Sequence, residues 1–290
     1  MTVACLEPHG FCMGVKAAID KAYHALSVFG ELYCLHPLVH NEQVVAALAA
    51  KGLRVVSALD DIPAGGCVLL SAHGVSPQLR AELNARKLHV TDATCPFVQR
   101  AHRAVTAFAA RGVPVVVVGN AEHAEVKGFV GEATCLQAQI TVISTVAEVA
   151  ALPYDGGRPV GVVCQTTLSA ERLDPIMAQL RARYPLLETV PASEACAATR
   201  QRQQAVKDFV AQGGDGVLVL GSRTSANTAQ LAACAQAAGA RFVACAATPD
   251  EVRALDFGGV GRLGVTAGAS TPEELFRDAV AALHAASREV

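Results

Sequence analysis

A threefold repeat of polar residues constrains the fold of this chain more than any other feature of its sequence. In each repeat a cysteine is followed, 28 or 29 residues later, by a histidine or a serine. The three pairs are Cys12 with His40, Cys95 with His123, and Cys196 with Ser225. A period of roughly 90–100 residues is much longer than that of solenoid repeats. The repeat therefore predicts three modules of similar structure around a central cavity.

Short apolar runs alternate with stretches of helical periodicity along the chain. The runs predicted to be buried strands are residues 2–6, 67–70, 115–118, 160–164, 217–220 and 263–265. Glycines such as Gly112 and Gly213 end two of the predicted helices. This alternation indicates an α/β fold with mostly parallel sheets. We predict modules at residues 13–94, 95–193 and 194–290, the third joined by an N-terminal strand within residues 1–12.

The polar residues of the repeat follow predicted strands. The second residue of each pair lies at or just after a strand end, and a further polar cluster follows the next strand. These clusters are Ser71-Ala72-His73-Gly74, Gln165-Thr166-Thr167 and Ala267-Gly268-Ala269-Ser270. Ligands of parallel sheets bind at the carboxyl ends of the strands, beside helix starts. If the modules face one another, these clusters and Asn227 meet the three cysteines in one site.

Each repeated cysteine stands immediately before a predicted helix. The positive end of the helix dipole and the N–H groups there stabilise a thiolate. Three thiolates could hold one 4Fe–4S cluster per chain by three of its irons. The fourth iron would lack a protein thiolate and could act as a Lewis acid. The chain has no CxxC pair, which argues against a zinc ribbon or a thioredoxin-like site.

The residues around the cysteines suit an anionic ligand. Histidine, serine, threonine and asparagine donate hydrogen bonds, and together with helix N-termini they can hold a phosphate group. Glu125, two residues after His123, is the obvious carboxylate of this set. In a dry cavity its pKa is expected to rise towards neutrality, which would make Glu125 a proton donor.

Each of these residues has a plainer interpretation when it is taken alone. A single cysteine is usually a core residue. We interpret in this way Cys5, Cys34, Cys67, Cys164, Cys234 and Cys245, and we assign no role to Cys135. The polar clusters could be turn and capping residues, and Glu125 could be a solvated charge at a helix start. Ligand-type residues at matching points of three modules favour a shared site.

The same residues and their neighbours resemble the motifs of the IspH/LytB family. The matching motifs are Gly10-Phe11-Cys12-Met13-Gly14-Val15, Val39-His40-Asn41, Ser71-Ala72-His73-Gly74-Val75-Ser76, Asp92-Ala93-Thr94-Cys95-Pro96, His123-Ala124-Glu125-Val126, Gln165-Thr166-Thr167-Leu168-Ser169, Ser225-Ala226-Asn227 and Thr266-Ala267-Gly268-Ala269-Ser270. The resemblance implies a trefoil of three pseudo-repeated α/β modules. It also implies reductive removal of the hydroxyl of 4-hydroxy-3-methylbut-2-enyl diphosphate, giving isopentenyl and dimethylallyl diphosphate in non-mevalonate isoprenoid biosynthesis.

The resemblance assigns roles to the motif residues. Iron would be held by Cys12, Cys95 and Cys196. The diphosphate would be bound by His40, His73, His123, Ser225, Asn227 and Ser270. Thr166 or Thr167 would lie near the substrate hydroxyl, and Glu125 would supply protons. The electron donor would be a ferredoxin or a flavodoxin.

Some positions depart from the family's usual motifs. The chain has Ala124 where the family usually has proline, Ala226 where it often has serine or glycine, and Arg200 close to Cys196. A lost hydroxyl at position 226 could remove a phosphate contact worth about 0.5–1.5 kcal/mol. Three alternatives therefore stay open. They are a paralogue that reduces a related allylic substrate, an iron–sulfur sensor that binds a diphosphate metabolite, and a structural α/β protein with scattered core cysteines.

Charge and hydropathy limit the partners of the chain. The formal net charge is −2 and no basic run occurs, which argues against nucleic acid or a membrane surface as a partner. The most apolar stretch, residues 113–118, is far shorter than the roughly 20 residues of a membrane span. No signal-peptide pattern precedes Lys16. We expect a cytoplasmic protein that acts as a monomer.

Overall fold

The structure is a computed structural model that describes residues 1–189 and 196–286. Within these residues, strands and helices alternate as the sequence predicts. The strands are β1 (Thr2–Cys5), β2 (Leu32–Cys34), β3 (Leu53–Val55), β4 (Cys67–Leu70), β5 (His89–Asp92), β6 (Val115–Val118), β7 (Ile140–Ile143), β8 (Val160–Cys164), β9 (Leu187–Thr189), β10 (Gly216–Leu220), β11 (Phe242–Ala246) and β12 (Arg262–Ala267). The helices are α1 (Met13–Phe29), α2 (Glu42–Ala49), α3 (Pro77–Ala85), α4 (Pro96–Ala110), α5 (Ala124–Cys135), α6 (Val146–Ala150), α7 (Ala170–Arg183), α8 (Ala197–Ala211), α9 (Ala226–Ala237), α10 (Pro249–Arg253) and α11 (Glu273–Ala286), and a short 3-10 helix lies at Leu59–Asp61.

The described strands form three four-stranded sheets with a common strand order. The orders are β3-β2-β4-β5, β7-β6-β8-β9 and β11-β10-β12-β1. Every strand pair is parallel. In the third sheet the N-terminal strand β1 occupies the edge that β5 and β9 occupy in the other two. The three parallel sheets confirm the predicted fold class.

The chain is divided into two compact units. The first, here called the terminal unit, contains Met1–Lys16, Val39–Ala47 and the described chain from Ala197, and it holds the sheet that includes β1. The second, here called the middle unit, contains Ala17–Leu38 and Leu48–Cys196 and holds the other two sheets. The three-module division made from the sequence stays a prediction, and its boundary between residues 193 and 194 lies outside the described residues.

Continuous apolar strands are buried on both faces. The four valines of β6 are fully buried, and alternate valines face opposite sides of the sheet. Val116 and Val118 belong to a core with residues of α7, whereas Val115 and Val117 belong to a core with Phe108 of α4. Helices therefore cover both faces of this sheet, which is the usual setting of an all-apolar parallel strand.

The repeated cysteines lie at helix starts, as the sequence predicts. Helix α1 begins at Met13, α4 at Pro96 and α8 at Ala197, each directly after one of the cysteines. Proline suits the first position of α4, because a backbone N–H at that position would have no acceptor within the helix. In residues 1–189 and 196–286, no helix is long and apolar enough to cross a membrane.

Candidate active site

Polar residues follow the two middle strands of each sheet. In the middle unit, the connections after the two middle strands of a sheet run to opposite edges. The chain goes from β2 to the edge strand β3 and from β4 to the opposite edge strand β5, and β6 and β8 connect to β7 and β9 in the same way. Ligands of open α/β sheets bind at such switch points. In the middle unit, the loop 71–74 follows β4, His123 follows β6, and Thr166 and Thr167 follow β8; in the terminal unit, Ser225 and Asn227 follow β10 and Ser270 follows β12.

One backbone hydrogen bond recurs at all three repeated cysteines. In each, the cysteine N–H donates, at 3.0 Å, to a carbonyl of the polar cluster that follows β4, β8 or β12. The pairs are Cys95 with Ala72 and Cys196 with Thr166 in the middle unit, and Cys12 with Ala269 in the terminal unit. The repeat seen in the sequence spacing therefore also exists in the hydrogen bonding.

The chemistry of these cysteines fits iron–sulfur ligands. All three are partly buried, and the Sγ of Cys12 accepts a hydrogen bond at 3.4 Å from the N–H of Val15, in the first turn of α1. Such N–H groups stabilise a thiolate, which is the usual ligand of an iron–sulfur cluster. Among the described residues, no group of three or more His, Cys, Asp or Glu side chains is arranged to hold a metal ion. The assignment of the three cysteines as cluster ligands therefore rests on their thiol chemistry and their position at three helix starts.

The other cysteines differ in their exposure. Cys34, Cys67, Cys164 and Cys234 are buried, as predicted for core residues, and burial raises the pKa of the Cys34 thiol to about 11. The interpretation of Cys5 as a core residue is wrong, because Cys5 ends the edge strand β1 and is exposed.

Two imidazoles meet in the middle unit. The ring centroids of His73 and His123 are 5.7 Å apart, and the ring planes are nearly perpendicular. His123 is the N-cap of α5, where its Nδ1 accepts a hydrogen bond from the N–H of Glu125 at 3.2 Å. Because Nδ1 is an acceptor, a neutral His123 carries its proton on Nε2 and can donate it to a ligand. The pair is therefore suited to an anion.

Glu125 is a buried carboxyl group that is hydrogen-bonded to Thr166. The residue is 1% exposed. Its Oε1 accepts a hydrogen bond from the N–H of Thr166 at 2.9 Å, and its Oε2 accepts one from the Thr166 hydroxyl at 3.1 Å. Burial raises the pKa of Glu125 to about 7, although the hydrogen bonds from Thr166 act in the opposite direction. Near neutral pH the group can therefore give up or take up a proton, as expected from the sequence.

Gln165 is a buried residue of this site to which the sequence analysis gives no role. Its Nε2 donates to the Thr167 hydroxyl at 2.8 Å, and its Oε1 accepts from the N–H of Asn120 at 3.0 Å. Gln165 thereby connects the loop after β8 with the loop after β6. Its place beside two hydroxyl residues at a strand end is the signal that could have identified it.

The terminal unit brings together a second group of predicted residues. The Ser270 hydroxyl donates to the carbonyl of His40 at 3.0 Å, and Oδ1 of Asn227 accepts from the N–H of Ala269 at 3.1 Å. Ser225 is the N-cap of α9. His40 lies in the loop between the end of β2 at Cys34 and the start of α2, just as His123 lies in the loop between β6 and α5.

Asn41 is a second residue that the sequence analysis did not single out. It is buried, and its Oδ1 accepts a hydrogen bond from the N–H of Val44 at 3.0 Å, so that it caps the start of α2. The preference of asparagine for the N-cap position of helices is the sequence signal that could have identified it. Asn41 therefore fixes the backbone next to His40.

The positions that depart from the family motifs lie at helix starts or on the surface. Ala124 and Ala226 are the first residues of α5 and α9, where alanine preserves the helix start. Arg200 is exposed. The buried guanidinium of α8 belongs instead to Arg202, which donates to the carbonyl of Gly10 at 2.7 Å, two residues before Cys12.

Comparison with known proteins gives consistent matches over nearly the whole chain. A family model described as LytB protein matches residues 3–284. A 4-hydroxy-3-methylbut-2-enyl diphosphate reductase of Chlamydia trachomatis serovar L2 is 42% identical over 272 residues, covering 93% of this chain and 86% of the relative. The reductase of the same name from Magnetococcus marinus is 40% identical over 292 residues, covering 100% of this chain and 94% of the relative. The solved structure of the E-1-hydroxy-2-methyl-but-2-enyl-4-diphosphate reductase from Plasmodium falciparum matches with a TM-score of 0.90 at 31% identity, covering 97% of this chain and 87% of that chain.

Proposed function

The chain belongs to the LytB protein family, and from this membership we propose that it reduces 4-hydroxy-3-methylbut-2-enyl diphosphate in non-mevalonate isoprenoid biosynthesis. The reaction takes two electrons and two protons, breaks the C–O bond of the substrate hydroxyl, and releases water with isopentenyl and dimethylallyl diphosphate. The observation that supports this chemistry is the buried Glu125 carboxyl, whose pKa is about 7 and whose partner is Thr166. A binding protein without turnover has no need of such a proton donor.

Cys12, Cys95 and Cys196 would hold a single 4Fe–4S cluster. When it is bound, the cluster supplies the electrons and, at an iron without a protein thiolate, a Lewis-acid position. The three cysteines lie beside the polar clusters through their recurring backbone hydrogen bonds. Within each unit, a cysteine therefore stands next to polar residues that could contact the diphosphate of the substrate.

Protons would reach the substrate from Glu125 through Thr166. When Glu125 is protonated, its O–H can donate to the Thr166 hydroxyl, which can then donate its own proton onward. Thr167, held by Gln165 at 2.8 Å, is the neighbouring hydroxyl that would help to orient the substrate. Because Glu125 is buried, bulk water has little access to this path.

The diphosphate would be bound by neutral donors. In the middle unit these are His73 and His123, and in the terminal unit they are His40, Ser225, Asn227 and Ser270. Hydrogen bonds to a charged group are stronger than those between neutral groups, so these donors can replace lysine side chains. The use of a ferredoxin or flavodoxin as electron donor, the monomeric state and the cytoplasmic location stay predictions.

An anaerobic assay tests the proposed function. Protein with a full complement of iron and sulfide is mixed with reduced viologen and the hydroxymethylbutenyl diphosphate, and the two isoprenoid products are quantified. We expect both products, and none when the protein is omitted. Substrate binding without any product would support the sensor alternative instead.

The pKa of Glu125 predicts how turnover depends on pH. A general acid must be protonated, and Glu125 is mostly protonated below its pKa of about 7. We therefore expect kcat to fall as the pH rises through about 7. The measurement is kcat with saturating substrate and a chemical reductant, which reports the enzyme–substrate complex. A kcat that is constant or rises across this range would argue against Glu125 as the acid.

Removal of a histidine is expected to weaken diphosphate binding. Alanine at His73 removes a donor from the pair at 5.7 Å, and the loss should be about 1.5–3 kcal/mol, the range for a hydrogen bond to a charged group. Asparagine at His123 should have a similar effect, while its side-chain oxygen still caps α5. The measurement is calorimetric titration of the anaerobic holoprotein with inorganic diphosphate.

A surface histidine provides the control for this titration. His24 is exposed on α1, and alanine there should leave the dissociation constant unchanged. If neither His73→Ala nor His123→Asn changed the dissociation constant, the diphosphate would bind elsewhere.

A further inference from the structure

Helix α5 contains two glycines at positions of close contact. A Cβ at Gly128 would lie 2.9 Å from Cε1 and 3.1 Å from Nε2 of His102. A Cβ at Gly131 would lie 2.4 Å from the Cβ of Ser76. Glycine destabilises a helix interior relative to alanine, so its presence here needs a packing reason. The reason is that α5 lies directly against His102 and against the residue that caps α3.

The His102 imidazole fills the space between α5 and the loop that carries His73. On the loop side, a Cβ at Gly74 would lie 2.8 Å from Nε2 of His102. The Nδ1 of His102 is 2.8 Å from Oε1 of Glu132, also on α5, and the residue is 9% exposed. The ring therefore lies between two glycines, packs against Phe129 and is held by a hydrogen bond to Glu132. Its Nε2 has no hydrogen-bond partner among the described residues, so the contact of the ring on this side is purely steric.

The two elements that His102 separates carry residues of the proposed site. Gly74 directly follows His73. Helix α5 begins after His123 and carries Glu125 in its first turn. Glu125, Gly128 and Glu132 are spaced three and four residues apart, so they lie along one face of the helix. A shift of α5 away from His102 would move His123 relative to His73 and move Glu125 relative to Thr166.

We infer that His102 is a positioning residue that sets the distance between the His73 loop and α5 through its contacts with Gly74, Gly128 and Glu132. This inference rests on the proposed function. His102 would contact neither the substrate nor the cluster. It would act through the placement of His73, His123 and the Glu125 carboxyl.

A pair of complementary substitutions tests the contact. Alanine at Gly128 adds a methyl group where His102 leaves no space. Asparagine at His102 lacks the distal ring atoms but can still donate to Glu132, so it opens the space that the methyl group needs. We expect each single variant to lower kcat by about 10–100-fold, as for a small misplacement of catalytic groups. The double variant should recover most of the lost kcat.

The readouts separate positioning from simple destabilisation. Iron content and melting temperature are measured for each variant, and assays are run well below every melting point. The apparent pKa of the kcat profile and the affinity for inorganic diphosphate should change in the single variants and return towards the wild-type values in the double variant. Gly157→Ala is the matched control, because Gly157 is exposed and a Cβ there would meet only ordinary contacts.

The possible outcomes are distinct. If Gly128→Ala does not fold, the kcat of His102→Asn can still be compared with that of the double variant. Single variants with wild-type kcat, pH profile and diphosphate affinity would overturn the inference, and so would a double variant that is no better than the singles. If the wild-type holoprotein itself gives no product, the proposed function fails. In that case the diphosphate affinities of the three variants are the remaining test of whether His102 positions the site.

Discussion

Serine in place of Cys196 is expected to remove the iron–sulfur cluster and with it all reductase activity. A serine oxygen is a harder and more basic ligand than a thiolate, and iron–sulfur clusters select soft thiolate ligands. Two remaining cysteines are not expected to retain the cluster. The N–H of residue 196 donates to the carbonyl of Thr166, and serine preserves this backbone bond. The loss would therefore report on ligand chemistry rather than on folding.

The measurement is the iron and sulfide content of anaerobically purified protein, together with its visible absorption. Cys12→Ser and Cys95→Ser should give the same loss, because the three cysteines occupy equivalent places in the repeat. Cys5→Ser and Cys135→Ser are matched controls, since both thiols are exposed and neither stands before a helix. Full iron and sulfide content in the Cys196→Ser protein would exclude Cys196 from the ligand set.

The strands that the sequence predicted are, with one exception, the middle strands of the sheets. Strands β4, β6, β8, β10 and β12 are continuous apolar runs because helices cover both of their faces. The edge strands β3, β5, β7 and β9 have exposed or half-exposed positions and contain polar residues, so their sequences contain no such run. The edge strand β11 is apolar throughout, and the sequence analysis missed it. Strand β2 is buried, but it has only three residues, which is too short for a periodic signal.

The site residues could be named from the sequence, but their contacts could not. Spacing of 28 or 29 residues identified the cysteines and their polar partners, since equivalent modules place equivalent residues at helix starts. The sequence left open whether Thr166 or Thr167 is the partner of Glu125, because Thr166 is 41 residues away and the contact depends on the neighbouring strands β6 and β8. The role of His102 was hidden for the same reason. Its contacts include two glycines on different elements, and an isolated glycine does not reveal what lies against it.

Glutamine in place of Glu125 is expected to preserve the cluster and lower turnover by about 10²–10⁴-fold, the usual contribution of a positioned general acid. Hydroxide is a poor leaving group, so cleavage of the C–O bond needs a proton on the departing oxygen. Glutamine can keep both hydrogen bonds of the site, with its carbonyl accepting from the N–H of Thr166 and its amide donating to the Thr166 hydroxyl. It has no proton to transfer. The measurement is kcat at matched iron content.

Two further variants of acidic residues support this comparison. Aspartate at position 125 retains an acid at shorter reach and should be more active than glutamine. Glu122 lies on the surface three residues earlier, where it pairs with Lys127, so Glu122→Gln should leave kcat unchanged. Near-normal turnover by the Glu125→Gln protein would remove Glu125 from the mechanism and leave a histidine or a bound water as the proton source.

Variants of Thr166 separate the acid from its relay. Valine has nearly the same shape as threonine but lacks the hydroxyl, while the N–H of residue 166 can still donate to Oε1 of Glu125, as it does at 2.9 Å in the structure. If protons pass through the Thr166 hydroxyl, Thr166→Val should approach the loss seen in Glu125→Gln, and Thr166→Ser should recover activity. The double variant Glu125→Gln/Thr166→Val should then be no slower than Glu125→Gln alone, because residues that act in one path have non-additive effects. Additive losses would mean that Glu125 and Thr166 act independently, so that the proton of Glu125 does not pass through the Thr166 hydroxyl.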